Sequence, residues 1–265
     1  MKKRPHILIS NDDGIHAAGI KHLASALAPF ADLTIVAPAH EQSGMGLAIS
    51  LSAQLKIEKQ PWEGVNAWSV TGTPADCVKM ALSVILPSLP DLIVSGINRG
   101  ANHGRSVLYS GTVGATIEGT FRGVNSIAFS SFDLEDTEYL AFTPYIPKIV
   151  EYVLANPLPL GTLLNVNFPK HAPSTPEKRY EVKLTRQGKQ YWAENPEIRG
   201  HESYILGAKL LKFNEHEESD AHLLHLGYIT ASPVHVSELT DLNYIDAQKT
   251  QFEELFAFLP PLLKL

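Results

Sequence analysis

The chain has 265 residues, 44% hydrophobic and 19% charged, which suits one large α/β domain. Lys plus Arg number 22 against 28 Asp plus Glu, a formal charge of −6, and no basic block or Arg/Lys stripe interleaved with aromatics appears. That balance argues against a nucleic-acid polymer as the main partner.

No stretch approaches the roughly twenty apolar residues of a membrane span. The apolar run after "MKKRP" is about four residues, short of the roughly seven to fifteen of a signal peptide. The single cysteine, Cys77 in "PADCVKMALSVIL", has no disulfide partner in the chain and reads as a small buried hydrophobe. These features predict a cytoplasmic protein that does not engage a membrane.

In chain order, short β-rich runs alternate with loops and helical patterns. "HILIS" leads to "AAGIKHLASALAPF", "LTIVAP" to a polar loop, "DLIVSG" to another loop and then "TVGATIEGTFRG", and "NSIAFSS" to "TEYLAFTPYIPKIVEYVL". The strands are continuous Val/Ile/Leu runs, as parallel strands covered on both faces require, so the pattern predicts a Rossmann-like, doubly wound, mostly parallel sheet. "LSAQLKIEKQ" and "VNAWSVTG" alternate more and suggest an edge pair before a helix opened by Thr73 and Pro74. "LLNVNFP" and "LGYITASPV" add strands. Residues 171–221 are polar and aperiodic and read as a hairpin-like excursion from a single domain spanning 1–265, too poor in apolar residues for a core of their own. Residues 241–265 read as a C-terminal amphipathic helix, built on "DAQKTQFEELFAFLPPLL", whose Leu255, Phe256, Phe258, Leu262 and Leu263 would serve subunit contacts.

Open parallel sheets bind ligands outside the carboxyl ends of their strands. Asp12 and Asp13 follow the first strand, Ser43 lies in "APAHEQSGMG" after the second, and Asn98 lies in "VSGINRGANHG" after Val94. Two adjacent carboxylates repel, and no Lys or Arg stands beside them in sequence. A divalent cation is the simplest neutraliser, and Mg²⁺ or Mn²⁺ takes this mixture of carboxylate, amide and hydroxyl oxygens. The plainer alternative makes "NDDG" a turn and cap for the helix beginning near Ala17, with Ser43 and Asn98 as ordinary loop residues. In "YSGTVGATIEG", Ser110, Gly111 and Thr112 fall where a helix should begin, and free N–H groups there suit a phosphate. No Lys follows to make a Walker loop.

These segments, with "VTGTPADCVKMAL" and "LTRQGKQYW", resemble the SurE (survival protein E) 5′-nucleotidases, metal-dependent nucleoside monophosphatases, in order along nearly the whole chain. The resemblance implies a SurE-like α/β fold, one divalent cation per subunit, and assembly into a homodimer or homotetramer through C-terminal elements. It implies metal ligands at Asp12, Asp13, Ser43 and Asn98, with Asp12 and Asp13 catalytic, and phosphate contacts at Ser110, Gly111 and Thr112 with Gly44 and Asn102 close by. Gln42 stands where relatives often carry Arg, and Ala39 where an acidic residue is frequent.

The activity so implied is hydrolysis of nucleoside 5′-monophosphates, with 3′-nucleotides and short polyphosphate as further candidate substrates. Either water or an aspartate is the attacking group. A nucleotide-binding regulatory protein without turnover is the alternative. A receiver-type phospho-acceptor module would need a later strand-end Asp and a following Lys, which "DLIVSGIN" and "NSIAFSSFD" do not supply. His16, His40 and His103 lie near the site loops as candidate general acids, with surface or loop histidine as the default. Trp62, Trp68 and Trp192 read as packing residues, Trp192 within a segment of subunit exchange.

Overall fold

A computed structural model describes residues 3–132, 139–170, 179–207, 209–211 and 213–255. The chain runs through β1 (His6–Ser10), α1 (Ala18–Leu27), β2 (Asp32–Pro38), the antiparallel pair β3 (Ile57–Gln60) and β4 (Asn66–Val70), and α2 (Pro74–Met80). It continues through β5 (Leu92–Arg99), α3 (Gly111–Phe121), β6 (Ser126–Ser131), α4 (Tyr139–Phe142), α5 (Tyr145–Ala155) and β7 (Thr162–Phe168). The remaining elements are β8 (Val182–Leu184), β9 (Tyr191–Ala193), β10 (Glu197–Gly200), β11 (Ser203–Ile205), β12 (Lys209–Leu211), α6 (Asp220–His225), β13 (Ile229–His235) and α7 (Leu242–Glu254).

The central sheet has nine strands in the order β3-β4-β2-β1-β5-β6-β7-β13-β8. From β4 to β7 all neighbours are parallel, whereas β3 at one edge and β13 beside β7 run antiparallel. Ile7 and Ile9 of β1 face a core cluster with Ile20, Leu23 and Leu27 of α1 and Ile146, Val150 and Val153 of α5. Leu8 between them faces the opposite cluster, with Val36, Ile93 and the α2 residues Cys77 and Val78. Helices cover both faces, which is why the strands are apolar without alternation. Trp62 packs against the first cluster and Trp68 against the second.

Local chemistry agrees with the elements. Thr73 caps α2 with a reciprocal pair of bonds, its hydroxyl accepting from the Asp76 N–H at 3.1 Å while the Asp76 carboxylate accepts from the Thr73 N–H at 3.0 Å. β5 loses register with β6 between Ser95 and Asn98. There Gly96 holds φ of +129°, and a Cβ would stand 2.2 Å from the Phe129 carbonyl oxygen, so only glycine fits. The irregularity re-aims the strand end that carries Asn98.

Three segments take a more specific form than the sequence reading gave them. The stretch "TEYLAFTPYIPKIVEYVL" forms two helices, α4 and α5, divided at Thr143–Pro144, where Pro144 has no N–H to continue the helical ladder. The Thr137 and Glu138 of that stretch lie outside the described residues. Within 171–221, residues 171–178 also lie outside them, and β8 joins the edge of the central sheet in parallel with β13. Beyond β8 the chain forms one long hairpin, with the β9–β12 pair at its base and the β10–β11 pair at its tip. Helix α7 begins ahead of Asp246, capped by Asp241, and has no buried residue. Leu255 is exposed, while Phe256, Phe258, Leu262 and Leu263 lie outside the described residues. No helix among the described residues is long and apolar enough to cross a membrane.

Candidate active site

β1, β2 and β5 end together, and the loops that follow them enclose a cavity of about 420 Å³ with the start of α3. Asp12, Ser43, Gly44, Asn98, Asn102 and Ser110 line it. The helix following β1 is capped at Ala17, which makes no side-chain cap bond, so the aspartates are not there as its N-cap. Asp12 is 3% exposed, and its Oδ1 accepts a 2.5 Å hydrogen bond from the Thr112 hydroxyl. Burial, with the neighbouring Asp13 charge adding to it and the Thr112 bond opposing it, pushes the Asp12 carboxyl up to about 6.

Asp13 is half-buried beside the cavity, and its Oδ2 accepts from the Arg99 N–H at 3.1 Å. Burial raises its pKa; the Arg99 N–H and charge oppose the rise, and Glu41 adds to it. The Ser43 loop is tied down by the Gln42 N–H, which donates to the Asp12 carbonyl at 2.7 Å, while the Ser43 hydroxyl donates to Glu41 at 2.7 Å. Asn98 donates its Nδ2 to the Gly100 carbonyl at 2.6 Å, and its Oδ1 makes no hydrogen bond among the described residues.

Ser110 is the N-cap of α3, accepting the Val113 N–H at 3.2 Å. Gly111 and Thr112 are fully enclosed behind Asp12 rather than on the cavity wall. At Gly111 a Cβ would meet the Asp12 Cβ at 2.9 Å, so glycine is what allows the helix start to seat on the aspartate. Asn102 is held from three sides: its N–H donates to Asn167 at 2.7 Å, its Nδ2 donates to Ser130 at 2.9 Å, and its carbonyl accepts from Asn165 at 2.7 Å.

Sequence reasoning did not find Asn165 and Asn167 of "LLNVNFP" as supports, although two amides at alternate positions of a buried strand are a detectable signal. It also did not place Arg99, Ser106, Tyr109, Trp192, Glu194 and Leu206 on the cavity. None of the three candidate histidines lines it. His16 and His40 are exposed. His103 is buried, stacked on Phe132 at 5.8 Å, and burial lowers its pKa, with the Gln190 bond opposing the shift.

The match to the family model described as survival protein SurE extends over residues 7–194. The chain belongs to the SurE family. It is 49% identical over 262 residues to the 5′-nucleotidase SurE of Protochlamydia amoebophila, covering 96% of this chain and 98% of that one. Identity to the 5′-nucleotidase SurE of Vibrio vulnificus is 42% over 254 residues, 94% and 96% of the two chains. The crystal structure of the SurE protein from Aquifex aeolicus matches with a TM-score of 0.80 at 33% identity, covering 94% of this chain and all of that one. This SurE chain thus has the family's mostly parallel α/β fold, with the cavity at the carboxyl edge of its sheet.

Proposed function

We propose that this SurE chain hydrolyses nucleoside 5′-monophosphates to nucleoside and inorganic phosphate, with one divalent cation held by Asp12, Asp13, Ser43 and Asn98. The observation that carries the reading is the buried Asp12, crowded by a second carboxylate and sharing one cavity with Asn98 and the start of α3. The four side chains of this set offer carboxylate, hydroxyl and amide oxygens, hard donors that fit Mg²⁺ or Mn²⁺. Such a cation, when bound, supplies positive charge to a phosphoryl oxygen and lowers the pKa of a bound water.

The chain's own groups do the rest. Ser110 spends an acceptor position on the Val113 N–H and keeps its hydroxyl proton for a phosphate oxygen. The Ser106 hydroxyl, buried without a partner among the described residues, lines the same cavity. Asn102, fixed by its three partners, supports the loop between them. Asp12 has one oxygen engaged by Thr112, which favours a ligand's role over a nucleophile's, with water as the attacking group.

The exposed helix α7 offers Leu242, Tyr244, Ile245 and Phe252 as the face on which copies assemble into a dimer or tetramer. The lone Cys77 is buried and unbonded, consistent with a reducing cytoplasm.

Phosphate release from nucleoside 5′- and 3′-monophosphates, short polyphosphate and an aryl phosphate, each with Mg²⁺, Mn²⁺ or chelator, tests the proposal. Metal-dependent release from 5′-nucleotides is expected. Nucleotide binding without release would replace it with a regulatory, non-catalytic role.

A further inference from the structure

The cavity has two unlike sides. Its floor, at the sheet edge, is polar and carries Asp12, Asn98, Asn102 and Ser110. The opposite side comes from the long hairpin and presents Trp192, Leu206 and Glu194. That side has no cation among its cavity-lining residues and does carry a carboxylate, so it cannot receive the phosphate. It faces whatever uncharged end of the substrate extends away from the floor.

We propose that Trp192 is the platform on which the nucleobase of the substrate stacks, which makes the hairpin a selectivity element of the phosphatase site; the inference rests on the function proposed above. Successive side chains of a strand point to opposite faces. On β9 Tyr191 stacks on Phe213 at 5.7 Å, and the Arg105 guanidinium lies 5.9 Å from the Phe213 ring centre. Trp192, next in sequence, is turned the other way, with Leu210 of β12 as its cross-strand neighbour. It remains 49% exposed on the cavity and has no ring contact among the described residues. A large indole surface left open beside an enclosed polar floor matches a base, because every base has a π-face.

The platform is also held at a set distance from the floor. Asp220, fully buried on α6, accepts from the Gly104 N–H at 3.0 Å and the Gly188 N–H at 2.7 Å. The Gln190 carbonyl accepts from the Arg105 N–H at 2.7 Å, and the Gln187 side chain donates to the Gly104 carbonyl. The chain entering Trp192 is thereby fastened to the 3₁₀ turn Gly104–Leu108, which leads directly into Ser110. Base and phosphate are therefore received by two parts of one braced unit.

The test compares the full-length chain with Trp192→Ala and Trp192→Phe on AMP, CMP and ribose 5-phosphate, which has no base. In Trp192→Ala the ratio of kcat/KM for AMP to that for ribose 5-phosphate should fall roughly tenfold, through KM, with a smaller fall for CMP because its ring is smaller. Trp192→Phe should recover most of the AMP ratio. A ratio within twofold of wild type in Trp192→Ala would overturn the proposal, since a merely structural tryptophan lowers all three alike. Wild-type protein that hydrolyses none of the three would remove the proposed activity instead. Calorimetric binding of AMP and ribose 5-phosphate to the same proteins then decides: selective loss of AMP in Trp192→Ala supports the platform, and equal loss or none overturns it.

Discussion

The Thr112 hydroxyl donates to Asp12 Oδ1 at 2.5 Å, joining the first turn of α3 to the end of β1 across 100 positions of sequence. Thr112 is fully buried, so this proton has no competing solvent. The residue expected at the phosphate therefore acts on the carboxylate that would hold the cation.

Thr112→Val keeps the shape and removes that bond, which for a charged acceptor is worth about 1.5–3 kcal/mol. Mn²⁺ affinity by titration calorimetry should fall at least tenfold, and turnover should drop by a similar factor for every nucleotide. Thr112→Ser should restore both. Intact metal affinity with a raised KM for all phosphates would return Thr112 to the substrate side.

Asp13→Asn removes a unit of charge beside Asp12 while keeping size and the capacity to accept from the Arg99 N–H. Metal affinity and turnover should fall together, with excess Mn²⁺ recovering part of the activity. Near-normal, chelator-resistant phosphatase activity would end the metal assignment.

The raised pKa of Asp12 has a signed consequence for the metal-free protein. A carboxyl that titrates at about 6 folded and 3.8 unfolded binds more protons in the native state between those values. Its contribution to stability is therefore most unfavourable above pH 6 and is relieved as pH falls towards 4. Asp12→Asn removes this contribution, so the metal-free variant should be the more stable protein at pH 7.5, by an amount on the order of 3 kcal/mol at most. The difference should shrink towards zero near pH 4. Thermal melts of both proteins across this range, with chelator present, measure it; a constant difference would mean that Asp12 does not titrate as described.

Much of this was legible from the chain alone. Strands covered on both faces carry uninterrupted apolar runs, so Ile7 to Ile9 and Leu92 to Val94 announced a parallel sheet, and the rule for strand carboxyl ends then collected Asp12, Asp13, Ser43 and Asn98. Trp192 was not legible in its cavity position, because a three-residue strand has too little pattern to say which face it turns, and its place depends on a bond made by Asp220. The break at Pro144 was within reach, since the proline stands in plain sight.

Asn167→Ala tests the support beneath Asn102. The substitution leaves the buried Asn102 N–H without its acceptor, at a cost of about 1–3 kcal/mol. The melting temperature should fall by about 2–4 °C for each kcal/mol lost in a chain of this size. Because Asn102 lines the cavity, kcat/KM should fall several-fold even at temperatures where the variant is fully folded. Lost stability with unchanged kinetics would make Asn167 a fold residue only.

Gly111→Ala sets local propensity against tertiary contact. Alanine favours a helix over glycine, by up to about 1 kcal/mol in a helix interior and less at a first position such as this, so propensity alone predicts a slightly stabilised α3. The new Cβ, however, would stand 2.9 Å from the Asp12 Cβ, 3.1 Å from its Oδ2 and 3.1 Å from the Pro74 side chain. Asp12 and Pro74 are both buried, so neither can swing aside into solvent. The helix start must lift away from β1 instead, stretching the Thr112 bond and displacing Ser110 from the cavity wall. The expected result is a lower melting temperature, weaker Mn²⁺ binding and reduced turnover, all from a residue that bears no functional group. A variant that melts higher and keeps wild-type metal affinity would show that the contact between α3 and Asp12 is looser than the geometry gives it, and would weaken the case that this helix start is built around the carboxylate.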